Sequence, residues 1–375
     1  MAEATVIATH LNMRDAPEGA VVSVLENGAS VSVLDTQGSW LRVSTTSDGQ
    51  TRLGWVSAQF VRIASASAPA AGGGSTVPPP DDAAHPVTVQ DGKAIGPDGR
   101  IFAHSFKLGF FTLGSTSLVD WLAANPTPAG ITPSMVSTVR VTSLNEGKLE
   151  AINSYDNAFL SFGMLQWTAG TGDDPGELAA FLGLVKNTDP SAFQTYFGRY
   201  GLDVRVSSAT SPTGVLVVNG TALNRAALKE QLRAAPWCYR LWRAGNDDLV
   251  RRCELVHAAA RIERFHQKPV AGLTVADWLS SEYGIALVLD EHVNRPGHVP
   301  GTLETAIGNL AGSPDPTNWT DAQEGELIDL YIDARNDTNM TNPQLRAANI
   351  TRCVHDGTLS AKRGSFVTAG AATGV

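Results

Sequence analysis

One stretch divides this chain. Residues 64–86, ASASAPAAGGGSTVPPPDDAAHP, are low-complexity Ala, Gly, Ser and Pro. Such a composition buries too little apolar surface to offset the entropy of ordering the backbone. The stretch reads as a linker, flexible at Gly72–Gly74 and stiffer at Pro78–Pro80. The chain therefore splits into residues 1–63 and residues 87–375. With 375 residues, 43% of them hydrophobic, both parts have enough material for folded domains.

The first part is β-patterned. ATVIATHLNMR, AVVSVLENG, SVSVLDTQG, SWLRVST and LGWVSAQFVRI are short runs, several alternating with period two and broken by Gly, Asp, Asn and Pro. They predict a small all-β barrel or sandwich of about 60 residues, near the lower size limit for independent folding. Leu11-Asn12-Met13-Arg14 with Ala16-Pro17, then Gly38-Ser39-Trp40-Leu41-Arg42-Val43, then Gly54-Trp55-Val56 and the closing Phe60-Val61 resemble, in order, the motifs of bacterial SH3 (SH3b) domains. The resemblance covers the whole segment. It implies an SH3-like barrel that binds peptidoglycan.

Several classes are excluded. A formal net charge of −9 argues against general nucleic-acid binding, which needs a basic surface. The cysteines Cys238, Cys253 and Cys353 are odd in number and lack CxxC spacing, so neither a disulfide framework nor a zinc site is expected. No run approaches 18 apolar residues, so no transmembrane helix is expected. The start, MAEATVIATHLNMRD, has neither a basic n-region nor an apolar h-region, and no secretory signal is visible. No cofactor or metal is implied, and a monomer is the simplest reading.

From residue 87 the pattern becomes mainly helical, with SLVDWLAAN, PGELAAFLGLVK, DLVRRCELVHAAARIERFHQ and GIALVLDEHVN as the clearest runs and strand-like breaks at FLSFGMLQW and VRVSSATSPTGVLVV. This predicts a mainly α domain with small β elements, an α+β class. Its most informative stretch is Asn145-Glu146-Gly147, then Tyr155-Asp156, then Ser161-Phe162-Gly163-Met164-Leu165-Gln166-Trp167. A helical pattern ends at Glu146, and Gly147 follows as a helix stop. A Glu shielded there by Leu144 and Leu149 would have its pKa raised by desolvation and could protonate a leaving oxygen near neutral pH. An Asp on a wetter loop could stabilise positive charge or activate water, with a hydroxyl at the next strand placing that water. Tyr155, Gln166 and Trp167 flank the set as candidate substrate contacts. The bland alternative makes Glu146 a solvated helix-end carboxylate and Asp156 a turn residue.

The order Glu-Gly, Asp loop, Ser-x-Gly strand resembles phage-type lysozymes, and the SFGMLQ strand also resembles goose-type lysozymes and lytic transglycosylases. By the first resemblance Glu146, Asp156 and Ser161 take the three catalytic roles. By the second, Glu146 works mainly alone. Both imply a muramidase cleaving the β-1,4 bond between N-acetylmuramic acid and N-acetylglucosamine. A lytic transglycosylase, a chitosanase-like glycosidase and a non-catalytic peptidoglycan-binding protein are the alternatives. Ser161 stands where the phage-type enzymes carry Thr.

A second polar run, Leu289-Asp290-Glu291-His292-Val293-Asn294-Arg295-Pro296-Gly297-His298, leaves an apolar helix. Either Asn294 and Arg295 line the glycan cleft, or the run is a capped helix end. The segment Arg225 to Lys268 holds ten Lys+Arg against five Asp+Glu and reads as a solvated helix face. Without a signal, action on the bacterial cell wall requires a holin-type or injection route, or a chain shortened at its start.

Overall fold

The computed structural model describes residues 2–368 except 7, 9, 18, 38–39, 48–49, 58–59, 64–76, 209 and 312–314. The first 63 residues form one antiparallel sheet. Its strands are β1 Ala2–Val6, β2 His10–Arg14, β3 Val21–Glu26, β4 Ser30–Gln37, β5 Trp40–Ser47, β6 Gln50–Ser57 and β7 Val61–Ile63, in the order β3-β2-β6-β5-β4-β1-β7. The alternation in the sequence becomes burial: Leu11 and Met13 on β2 and Leu41 and Val43 on β5 point into the core. Gly54 sits where β6 crosses β2. A Cβ there would lie 2.5 Å from the Met13 side chain and 2.9 Å from the Arg14 carbonyl, so only glycine permits that approach.

The expected linker is shorter than its composition suggests. Its first part, 64–76 with Gly72–Gly74, lies outside the described residues. Its second part packs on the helical domain. Arg243 donates to the Pro78 carbonyl at 2.6 Å and the Tyr239 hydroxyl donates to the Pro79 carbonyl at 2.6 Å. Asp81 is buried, ion-paired with Arg240 at 2.8 Å, and its carbonyl accepts from the Tyr200 hydroxyl. Stiff prolines lose little entropy on docking, and their carbonyls satisfy donors on the helices. The folded domain thus starts near residue 77 rather than 87.

That domain is α+β. A meander of β8 Thr88–Gln90, β9 Lys93–Ile95, β10 Ile101–Phe106, β11 Gly109–Thr112, β12 Ile152–Asn153, β13 Ser161–Phe162 and β14 Trp167–Thr168 pairs each strand with the next. A second sheet holds β15 Leu202–Val206, β16 Gly214–Val218 and β17 Thr221–Ala222. The helices are α1 Leu118–Leu122, α2 Pro133–Ser143, α3 Glu177–Thr188, α4 Pro190–Tyr196, α5 Ala226–Lys229 and α6 Ala235–Ala244. They continue with α7 Asp248–His266, α8 Val275–Trp278, α9 Glu282–Asn294, α10 Val299–Gly308, α11 Asp321–Asn336 and α12 Pro343–His355. Ile285 to Leu289 of α9 are all fully buried, as a helix apolar on every side must be. It passes beside α2, with Thr142 of α2 donating to the Ala286 carbonyl.

The basic segment 225–268 is not a solvated face. Arg233, Arg243, Arg251 and Arg261 are buried. The first three donate to backbone carbonyls of Ser154 and Asp156, Pro78, and Gly245. The three cysteines are buried free thiols, and burial pushes Cys238 up to about 12.

Candidate active site

α2 starts on a Thr132 cap that accepts from the Met135 amide, with Pro133 in its first turn. The helix ends at Ser143, and the chain continues in turns in which the Glu146 and Gly147 amides both reach the Ser143 carbonyl. Gly147 does not stop the helix through a left-handed conformation. It is needed for space, because a Cβ there would lie 2.7 Å from Ala151 and 3.4 Å from the Gln166 amide. That packing sets the Gly147 backbone against the turn between β13 and β14. Leu144 is 61% exposed and shields nothing, whereas Leu149 is fully buried.

The Glu146 carboxylate is 12% exposed and accepts a short hydrogen bond from Arg346 of α12. Arg346 also binds Asp290 of α9, at 2.7 Å to Oδ1 and 3.2 Å to Oδ2. Arg335 of α11 donates to the same carboxylate at 2.6 Å and to the Leu287 carbonyl at 3.0 Å. Asn145 adds a third donor to Asp290 at 2.9 Å. Two carboxylates and two guanidiniums thus alternate from Glu146 into the core. Burial pushes the Glu146 carboxyl above the ordinary carboxylate range against the pull of Arg346, and the Asp290 charge pushes the same way.

Asp156 lies in the loop between β12 and β13. Its two oxygens accept from the Asn153 side chain at 2.7 Å and the Ala158 amide at 2.9 Å, and its carbonyl accepts from Arg233. Asn153 pairs with Ser161 in the ladder. The structure therefore gathers Asp156, Asn153 and Ser161 in one corner, with Ser161 itself buried. Glu146 faces Arg346 of α12 instead, and no hydrogen bond or ion pair among the described residues joins it to Asp156.

Tyr155 is half-buried against Phe106 and Phe111, and burial together with the Asp156 charge raises its hydroxyl pKa. Gln166, at φ +48°, folds back to donate to the Gly163 carbonyl. Trp167 does not face a ligand: it is 1% exposed and stacked on Phe181 at 4.8 Å. The polar run after α9 also resolves as structure. Arg295 binds Glu291 at 2.5 Å and Thr302 at 3.0 Å, a helix-end arrangement. Asn294 is exposed at the last position of α9. His292 is buried against Phe265 rather than capping the helix, and burial with the nearby Arg261 charge lowers it to about 3.

The sequence reading missed the acids and bases behind this site. Glu254 of α7 is fully buried and accepts from the Met164 amide at 2.9 Å. Burial pushes its carboxyl well above the ordinary range, and its oxygen holds the Met164 amide of the Gly163–Met164 turn. Gly163, at φ +80°, would place a Cβ 2.6 Å from that carboxyl and 2.6 Å from Trp167. Glu177 is part-buried, but Arg261, His257 and Arg264 outweigh its desolvation and bring it down to about 2. The one local hint of Asp290 was an acid ending an apolar helix. Arg335 and Arg346 carried no local signal at all.

Residues 9–62 match the family model of the bacterial SH3 domain. The N-terminal barrel is thus a bacterial SH3 domain, a type that suggests binding to the cell wall. The match does not extend into the helical domain, and no curated protein and no solved structure matches the chain. No helix among the described residues is long and apolar enough to cross a membrane.

Proposed function

We propose that the helical domain hydrolyses the glycan of bacterial peptidoglycan and that the SH3 domain holds it to the wall. The observation that carries this is Glu146, a partly accessible carboxyl whose pKa burial raises although it sits against Arg346. A raised carboxyl keeps its proton further towards neutral pH. Once the proton passes to the leaving glycosidic oxygen, Arg346 stabilises the carboxylate that remains, so the cation acts where charge develops. Asp156 is oriented by Asn153 and the Ala158 amide to activate water or to stabilise a cationic sugar, with Ser161 beside it.

The test is Glu146→Gln, which keeps the volume and cannot donate the proton. Digestion of purified sacculi should slow by on the order of a hundredfold or more, with binding to sacculi retained. Digestion at the wild-type rate would remove Glu146 from the chemistry. Product analysis separates the chemistries: new reducing ends mean hydrolysis, and anhydro-muramic ends mean a lytic transglycosylase. If the wild-type protein binds sacculi and releases nothing, the domain is a binding module.

A further inference from the structure

The β10–β11 hairpin carries an aromatic group that the hydrophobic core does not use. Phe106 meets Tyr155 edge-on at 4.7 Å and Phe111 meets it edge-on at 6.4 Å. All three rings are part-exposed, and none belongs to the domain's core or packs against it. Their neighbour Phe110 does pack there, as alternation along a strand requires. The hairpin turns at Lys107-Leu108, with Phe106 paired to Gly109. Lys107 has φ +49°, a conformation that costs a side chain energy and that Gly or Asn would adopt more easily. In return its ammonium lies over two rings, 5.2 Å from Phe106 and 5.8 Å from Tyr155. It makes no ion pair among the described residues.

Two features fix this group beside the proposed site. Gly109 is pressed so closely on the next loop that a Cβ would lie 2.3 Å from the Ser154 carbonyl. The Phe110 amide donates to the Ser154 hydroxyl and the Ser154 amide to the Phe110 carbonyl, both at 2.8 Å. The ladder register then runs Phe111 to Asn153 to Ser161 across adjacent strands. Directly paired residues share a sheet face. Phe111 is therefore on the face that bears Ser161 and the residue that orients Asp156.

Resting on the glycosidase reading, we infer that Phe106, Phe111 and Tyr155 form a sugar-stacking subsite next to Asp156, and that Lys107 pairs with a carboxylate on the bound glycan. The ligand is a β-1,4-linked glycan whose sugars carry lactyl carboxylates. The pyranose faces rest on the rings, and the fixed cation distinguishes acidic glycan from neutral chitin-type chains. A purely structural hairpin would favour glycine at position 107 and would need no lysine.

The experiment measures binding in the full-length protein carrying Glu146→Gln, so that ligand persists. The probes are a peptide-free hexamer of alternating N-acetylglucosamine and N-acetylmuramic acid, and chitohexaose. Phe111→Ala should weaken both by on the order of tenfold. Lys107→Gly relieves the positive φ, so it should fold at least as stably. It should weaken only the acidic hexamer, about three- to fivefold at low salt. If Phe111→Ala unfolds the domain, Lys107→Gly still decides. Unchanged preference between the probes in Lys107→Gly would overturn the subsite while leaving the glycosidase reading standing. If the Glu146→Gln protein binds neither probe and the wild type releases nothing from sacculi, both fall together.

Discussion

The two folded parts of this chain treat charge in opposite ways. The SH3 domain has an apolar core, built from residues such as Leu11, Met13, Leu41, Val43 and Val56, with Thr45 as the one buried polar residue among those described. Its His10–Glu26 ion pair stands in solvent, with both side chains about two-thirds exposed, at 65% and 70%, where such a pair contributes little. The helical domain instead buries Asp290, Glu291, Glu254, Glu324, Arg335 and Arg346. Burying charge costs several kcal/mol per ion unless each is met by a counter-charge and hydrogen bonds, and here Asp290 has three donors around it. The difference teaches where position matters more than stability. Among the described residues the SH3 domain buries no charge, whereas the helical domain fixes its buried acids in place with paired guanidiniums.

Breaking the network should expose that contrast most strongly. Asp290→Ala leaves Arg335 buried without an anion and Arg346 with Glu146 alone. It should destabilise the helical domain by about 3–5 kcal/mol. The check is denaturant unfolding of the full chain followed by domain-specific probes, and the SH3 transition should stay in place. A single shared shift of both transitions would show that the parts do not fold separately.

A smaller effect should sharpen the boundary between them. Removing residues 1–76 should leave the helical domain's stability unchanged. Removing residues 1–86 should cost about 2–4 kcal/mol, because Arg243, Tyr239 and Arg240 lose the Pro78, Pro79 and Asp81 groups that satisfy them. Thermal unfolding of the two truncations reads the difference directly. Equal stability would return residues 77–86 to the linker.

The smallest effect is a pH dependence confined to the helical domain. The Glu254 carboxyl is raised in the fold, so the folded state holds its proton more tightly than the unfolded chain does. Stability from this group is complete below the ordinary carboxylate range and declines as pH rises from there through the raised native value. Glu254→Gln should flatten the decline, read as the pH dependence of the helical transition. Glu177, lowered to about 2, acts oppositely and should cost stability as pH falls below the ordinary range. A wild-type profile with no alkaline decline would mean that Glu254 is charged in the fold.

The SH3 domain was legible because its motifs are local and each residue's duty is local too: Gly54 makes room, and Leu11 and Met13 face inward. The helical domain was legible in class, and Glu146 and Asp156 stand out in the sequence as two acids on one short segment whose catalytic role is a proposal. Trp167 misled because a two-residue strand offers no alternation from which to tell the core face from the open face. Residues 77–82 misled because proline-rich composition reports what a segment cannot bury itself, and is silent on whether its carbonyls satisfy someone else's donors. Arg346 lies 200 residues from Glu146, and no spacing rule reaches that far.

That separation has a consequence for how the protein comes into being. Chains emerge from the ribosome N-terminus first, and contacts between distant segments form late. The cation that meets Glu146 sits on α12, the last helix among the described residues. A nascent chain, or one clipped before residue 343, would carry its acid without its counter-ion. The charge network around Glu146 therefore closes only after α12 has joined the fold.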